Sequence, residues 1–491
     1  MSRTAVIVGA GMGGLSAAVE LSGRSGWDVT VLEAASEPGG KVGVEEHDGV
    51  EFGTGPSLLT LVSMVNELSA GQGRSLASEL ELLRPSPATR YLFADGSSFD
   101  VGTSPQQTRE NIRRAFGGQA AREFDDFLGY CRRIWEAAAP HFVKAPAPTV
   151  LSAMRWGLTA MRDFLAIDST KTMEEVVEAK ISDGRLRDVF LRYATFNGSD
   201  PRRAPATLLC IAWVDLGLGV RGVRGGMYEL VRAMEQMARD GGGELVYDRP
   251  VTAIRPCGDG YDVCWQGGST RADAVIVNAD VRHFVDGLWD STVDHGISVA
   301  GRSSTSGWTA VIRARRRPNR RRPAHTVVFP ERDYLLEFHD LFDKESAPEE
   351  PTIYLCAPEK AHKTDGWQNH EPLFAMINAP AVADEKSGVD WKIREEQVMR
   401  RLRHRGLVSD GDRIIWRRTP AQLARRFPDT GGSIYGAASN SRLAAFRRPP
   451  NRAPGVEGLY FASGSVHPGG GVPLAIESGR RAAGELLEDF P

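Results

Sequence analysis

Long apolar runs are missing from this 491-residue chain, and none could cross a bilayer. A membrane would therefore be met at its surface. Cysteine is scarce: the five present (Cys131, Cys210, Cys257, Cys264 and Cys356) never form a CxxC. That scatter argues against a disulfide framework or a zinc site, and it suits a reducing cytoplasm. Neither sign of charge dominates, with 60 Lys and Arg against 63 Asp and Glu. Global electrostatics thus gives no pull toward nucleic acid. Internal repeats and low-complexity tails are lacking, and the first strand follows Met1 so closely that no signal peptide is expected before it. What is left is ordinary globular material, 41% hydrophobic and 25% charged, enough for two or three domains with a sizeable core.

Glycine is placed where it carries information. Gly9-Ala10-Gly11-Met12-Gly13-Gly14 follows the apolar run Ala5-Val6-Ile7-Val8 and opens a helical pattern over residues 15–21. A second strand, Val29-Thr30-Val31-Leu32, ends in Glu33. A strand, a glycine turn, a helix and a strand ending in an acid make a dinucleotide-binding unit. In it Gly9 allows the tight turn, Gly11 lets the backbone approach a pyrophosphate, and Gly14 lets helix and strand pack closely. The helix N-terminus faces the phosphates, and Glu33 accepts from ribose hydroxyls. The fingerprint alone leaves NAD and FAD both open.

Beyond this unit, Glu37-Pro38-Gly39-Gly40-Lys41 and then Gly53-Thr54-Gly55-Pro56-Ser57 read in two ways. Either backbone passes close to a flat ligand there, or a β-hairpin is followed by a loop. Residues 58–205 read as mostly helical. Gly222-Val223-Arg224-Gly225-Gly226-Met227 opens a helix expected to run to residue 238. Strands are expected at 244–247 and 251–254, with a hairpin partner at 261–265, and a buried parallel strand at 274–277. A second sheet is expected from 326–329, 352–355 and 373–377, with an amphipathic helix at 391–405. A strand at 458–462, a glycine-rich loop and a helix at 475–487 close the chain. The fold class is α/β, with an α+β substrate region. A Rossmann-like nucleotide domain (1–60, 220–285, 450–491) would hold an inserted mixed-sheet substrate domain (205–220, 286–449). A helical region (61–204) would form a lid or a membrane-facing surface.

Together these residues resemble the FAD-dependent carotenoid desaturases of the phytoene desaturase family, within the wider amine oxidase-like flavoproteins. The resemblance covers nearly the whole chain. Its most specific part is Gly458-Leu459-Tyr460-Phe461-Ala462-Ser463-Gly464-Ser465-Val466-His467-Pro468-Gly469-Gly470-Gly471-Val472-Pro473. Within the family this ending is most similar to the 1-hydroxycarotenoid 3,4-desaturases. So are Asp333-Tyr334, Glu337-Phe338, Pro351-Thr352-Ile353-Tyr354-Leu355-Cys356, Arg192-Tyr193-Ala194-Thr195 and Phe427-Pro428-Asp429-Thr430-Gly431-Gly432. There are departures. Lys41 stands where the group often has arginine, a point charge in place of a planar fork. Val466 stands where phytoene desaturases more often have threonine. The arginine-rich stretch 313–322 matches no family motif, and its clusters at 315–317 and 320–322 read as a solvated loop or as an attraction to anionic lipid.

The resemblance implies FAD as cofactor and a hydrophobic carotenoid as substrate. Removing hydrogen from a C3–C4 bond takes two electrons, which side chains cannot accept, so a redox cofactor must. Hydride loss from C4 leaves a cation that the polyene itself spreads, and proton loss from C3 completes the double bond. No catalytic triad is needed, and none is visible. By motif, Gly9, Gly11, Gly14 and Glu33 hold the ADP half, while Gly39, Gly40 and Lys41 lie toward the pyrophosphate and flavin. Gly55, Pro56 and Ser57 sit by the isoalloxazine. Val251 either holds adenine through its backbone or is an ordinary strand valine. Ser465 approaches the ribityl or phosphate region, and Gly471, Val472 and Pro473 place a helix N-terminus at the flavin pyrimidine. His467 either contacts flavin or substrate or fixes its loop. No metal is implied.

A bilayer-dissolved substrate also implies a protein peripheral to the cytoplasmic face of the membrane. Residues 150–165, which carry Arg155, Trp156 and Arg162, read as an interfacial helix or a lid. Alternatives on the same scaffold are a phytoene or other carotene desaturase or isomerase, an amine oxidase, and a prenyl-lipid escort without flavin catalysis.

Overall fold

The computed structural model describes residues 2–68, 73–148, 168, 170–299, 301–316, 322–381, 389–441 and 444–491. The opening apolar run forms strand Arg3–Val8, the middle member of a five-stranded parallel sheet. Across that sheet the order is Leu459–Phe461, Ala274–Val277, Arg3–Val8, Trp27–Leu32 and Glu244–Val246. Central parallel strands are covered on both faces, which is why Ala5-Val6-Ile7-Val8 and Ala274–Val277 are apolar at every position. Ala5 and Ile7 join one core, with helices Met12–Leu21, Glu229–Asp240 and Val472–Asp489. Val6 and Val8 join the opposite core, beneath an antiparallel sheet of Val251–Cys257, Gly260–Trp265 and Gly268–Ala272.

The mixed α/β fold and the parallel strand at Ala274–Val277 are as expected. The helix expected from Gly222 starts later, at Glu229. Gly225 and Gly226 hold φ of +86° and +113°, which no right-handed helix accommodates. Gly222–Val223 instead pairs with Leu82–Leu83.

A second sheet has seven strands in the order Arg413–Arg418, Ser306–Arg315, His370–Ala379, Ile353–Cys356, His325–Val328, Thr89–Leu92 and Ser98–Val101. Helix Trp391–His404 covers one face through Val398, Met399 and Leu402. Two of these strands come from the stretch read as mostly helical. Tyr91, Phe93, Phe99 and Val101 alternate inward around the turn at Asp95-Gly96, and they pack with helices Gly118–Ala138 and Gly184–Leu191. Period-two aromatics flanking Asp-Gly are a hairpin signal, overridden there by the helices around it.

The arginine-rich stretch is likewise not all loop. Arg313 and Arg315 lie on strand Ser306–Arg315, paired with Pro372 and His370. Arg313 meets Asp48 at 2.8 Å, Arg322 meets Glu371 at 3.0 Å, and Arg316 pairs with Glu359. Arg317, Arg320 and Arg321 lie outside the described residues, as does the expected interfacial helix at 150–165. Among the described residues no helix is long and apolar enough to cross a membrane.

The first and last helices cross at backbone contact. Ser16 Oγ donates to the Ile476 carbonyl at 2.6 Å. A methyl group added at Gly479 would strike the Gly13 carbonyl oxygen and lie 2.6 Å from Ser16 Cβ. Backbone on one side cannot yield, so Gly479→Ala should lower unfolding free energy by roughly 2–3 kcal/mol through overpacking. Urea titration of the purified protein checks this, and an unchanged midpoint would contradict the close crossing.

Candidate functional site

The glycine turn is shaped by what it touches. Gly9 has φ +98°, and its N–H donates to the Leu32 carbonyl at 2.8 Å. A side chain at Gly14 would strike the Gly9 carbonyl oxygen, and one at Gly13 the Ala462 carbonyl oxygen. Gly14 thus packs helix against strand. A side chain at Gly11 would lie 2.6 Å from Asn278 Oδ1. Asn278 ends strand Ala274–Val277, and its Nδ2 donates to the Ala462 carbonyl. The Glu33 carboxylate accepts from Ala10 N at 2.6 Å and Ala35 N at 2.9 Å, so it fixes the turn and keeps lone pairs for another donor.

Gly39 and Gly40 lie alongside this turn. Gly39 N donates to the Ala10 carbonyl at 2.8 Å, and the two glycines take φ of +109° and +58°. Lys41 is half-buried, and its ammonium donates to the carbonyls of Ser433 (3.0 Å) and Ile434 (2.9 Å), 5.5 Å from the Phe427 ring centroid. Burial lowers its pKa, against the pull of Asp280. Lys41 therefore ties the glycine loops to the 427–434 segment near the second sheet.

A cavity of about 1050 Å³ opens along these elements. It reaches or passes the upper range of ligand pockets, ~300–1,000 Å³. Every residue expected at the cofactor lines it except Gly14: Gly9, Gly11, Glu33, Gly39, Gly40, Lys41, Gly55, Pro56, Ser57, Val251, Ser465, Gly471, Val472 and Pro473. Val251 begins a strand with a register shift before Ala253. Ser465 Oγ accepts from Val281 N at 2.9 Å and meets Ser463 Oγ at 2.7 Å, so it caps a neighbouring turn. Ser57 Oγ lies 2.6 Å from Tyr354 Oη. From the glycine end the cavity extends into an apolar limb walled by Trp135, Phe142, Val143, Leu208, Ile211 and Val214.

His467 also lines the cavity, but its Nε2 lies 2.9 Å from the Ala145 carbonyl and so carries the hydrogen that it donates. Burial pushes its pKa down to about 4. This neutral imidazole fixes its loop to the 139–145 segment, which Arg481 also holds through the Val143 carbonyl at 3.0 Å.

Several cavity residues were not anticipated. Arg192, Arg418 and Arg448 are cations in the wall. Burial brings Arg448 down to about 10 although Asp280 opposes it, and its Nη1 donates to the Gly464 carbonyl at 3.2 Å. The sequence offers no local signal for Arg418 or Arg448, whose role depends on chain crossing. Asn278, at the end of a predicted buried strand, did stand where ligands gather.

Three observations test whether FAD fits. Helices Met12–Leu21 and Val472–Asp489 both start at the cavity with a glycine N-cap, no side-chain cap and no acid in the first turn. Their N-termini present free amides and partial positive charge, suited to a diphosphate and to an electron-rich ring. The would-be Cβ of Gly471 meets open space. Thr54 Oγ1, in the wall, is buried with no partner. The donors and the space suit FAD.

The two-sheet α/β fold and this cleft define a dinucleotide-binding protein, and its family makes it an FAD-dependent oxidoreductase. The chain belongs to the flavin containing amine oxidoreductase family, whose model matches residues 12–487. It is 33% identical to the hydroxyneurosporene desaturase of Rhodobacter capsulatus, across 99% of this chain and 97% of that relative. The hydroxyneurosporene desaturase of Rubrivivax gelatinosus is 31% identical (98% and 93% covered), and the 1-hydroxycarotenoid 3,4-desaturase of a Flavobacterium species 29% (98% of each). Among solved structures, cyclohexylamine oxidase from Brevibacterium oxydans IH-35A shares the fold, with a TM-score of 0.61 over 100% of both chains at 16% identity.

The buried His467 makes stability depend on pH. Below pH 6.5 the unfolded imidazole gains a proton, whereas the folded one stays neutral to about pH 4. Its contribution is complete above pH 6.5 and is lost as pH falls toward 4, by up to roughly 3 kcal/mol. Urea titrations at pH 7 and pH 4.5 should show His467→Gln destabilising at the higher pH and much less so at the lower. An equal cost at both would contradict a neutral, buried imidazole.

Proposed function

We propose that this chain desaturates an acyclic carotenoid, removing hydride from C4 and a proton from C3 of a 1-hydroxylated substrate. The observation that carries the reading is one continuous cavity that joins the glycine turn to an apolar limb. Its polar end suits a dinucleotide, and its apolar limb suits a long hydrocarbon. The names of the relatives give the reaction class and favour a hydroxylated substrate.

FAD supplies the two-electron acceptor for the hydride. The chain's own residues do the rest. Gly9, Gly11 and the N-terminus of Met12–Leu21 would receive the diphosphate, and Glu33 would receive ribose. The N-terminus of Val472–Asp489 would favour negative charge on a flavin ring held there. Trp135, Phe142, Leu208 and Val214 exclude water from the polyene, whose conjugation spreads the positive charge left by hydride loss. Lys41, bound to the Ser433 and Ile434 carbonyls, braces the loops on either side. Since such substrates dissolve in bilayers, we infer that the protein works against the cytoplasmic face of a membrane as a peripheral enzyme.

Coexpression in hosts that accumulate defined pigments tests this. With a 1-hydroxycarotenoid, the product should be lighter by two hydrogens and red-shifted by one added double bond. A host holding only phytoene should show neither change. Conversion of phytoene alone would turn the reading to a phytoene desaturase, and release of hydrogen peroxide with amines but no pigment change would turn it to an amine oxidase.

A further inference from the structure

Ser57 and Tyr354 put a polar wall beside the cavity that continues into the protein interior. Ser57 Oγ lies 2.6 Å from Tyr354 Oη, which lies 2.8 Å from His325 Nδ1. The His325 and Tyr354 rings stack at 5.8 Å with 16° between their planes. A second histidine anchors the start of the chain. His362 Nδ1 accepts from Val223 N at 3.1 Å, so its hydrogen is on Nε2, which donates to the Ser57 carbonyl at 3.0 Å. Both histidines are almost fully buried.

Each member of the Ser57–Tyr354–His325 chain can donate or accept. A neutral imidazole is acceptor in one tautomer and donor in the other, and a hydroxyl is both. Burial pushes His325 down to about 3, so it is neutral at working pH. The chain can therefore run in either direction. Run inward, it leaves Ser57 Oγ as an acceptor at the cavity. Run outward, it leaves Ser57 as a donor. A ligand hydroxyl, itself donor and acceptor, is served both ways.

We propose that this chain is a specificity element that recognises a hydroxyl group carried beside the reacting carbons of an otherwise apolar polyene. The proposal rests on the desaturase reading above. In a C3–C4 desaturation, C1 lies only three bonds of about 1.5 Å from C4. The hydroxyl must then be bound next to the redox centre, not along the limb. Ser57 meets that condition, because it follows Gly55 and Pro56 in the cavity wall where the flavin ring is expected. Trp135, Phe142, Val143 and Ile211 give the cavity an apolar wall that suits hydrocarbon. With an unsubstituted end, Ser57 Oγ would face hydrocarbon, and the loss of such a buried bond weakens reaction roughly 10–100-fold.

The test compares kcat/KM for a 1-hydroxycarotenoid and for its 1-unsubstituted counterpart, with purified holoenzyme and substrates in liposomes. Wild type should prefer the hydroxylated substrate by about 10-fold or more. Ser57→Ala and the isosteric Tyr354→Phe should each shrink that ratio roughly 10-fold or more, with flavin content measured alongside, and Ser57→Thr should restore it. An unchanged ratio in both variants overturns the proposal while the desaturase reading stands. A wild type that desaturates both substrates equally does the same without any variant. A wild type that desaturates neither removes the desaturase reading, and the proposal with it.

Discussion

Backbone meeting backbone at the centre of the parallel sheet is the constraint on which the rest depends. Gly13 lies against the Ala462 carbonyl, Gly14 against Gly9, and Gly479 against Gly13. Side chains at these positions would push the first helix away from the last strand and the last helix. Because they are absent, two helices from opposite ends of the chain bring uncapped N-termini to one cavity. Their partial positive charges then act on the same ligand. Either helix alone would be an ordinary glycine-started helix.

The cavity is a product of two sheets facing each other. The parallel sheet carries the turn and the acid, and the seven-stranded sheet carries Tyr354, Phe374 and Met376 to the opposite wall. Specific bonds join these sides. Lys41 reaches the Ser433 and Ile434 carbonyls, Ser57 reaches Tyr354, and His283 reaches Asp429 at 2.7 Å. Lys41 is instructive. By motif it belongs to the cofactor end, yet its ammonium is held by protein carbonyls, and it thereby positions the loops. A planar guanidinium there would spread its donors differently.

Buried polar groups near the cavity are mostly neutral or solidly bonded. His467, His325 and His362 all have lowered pKa values because burial disfavours their charged forms. Arg192 is also pulled down by burial, but Tyr91, Tyr334, Tyr193 and Asp215 around it outweigh that and raise it. Two carboxylates also line the cavity, Glu33 and Asp280, and Glu33 is engaged with the Ala10 and Ala35 amides.

Short-range pattern settled much of this protein in advance. The turn Gly9–Gly14, the acid Glu33, the buried strand at Ala274–Val277 and the helix after Gly471 are legible because each is a local requirement: a positive φ, a close approach, or an apolar run covered on both faces. The hairpin around Asp95-Gly96 was also written locally, in alternating Tyr91, Phe93, Phe99 and Val101, but its helical surroundings hid it. Only the tertiary structure decided that Thr89–Leu92 pairs with His325–Val328, that Arg418 and Arg448 enter the cavity, and that Ser57 meets Tyr354 and through it His325. The paired strands lie 236 residues apart, and Ser57 lies 297 residues from Tyr354. Local propensity and period act over a few turns or strands, whereas such contacts depend on how whole sheets are placed.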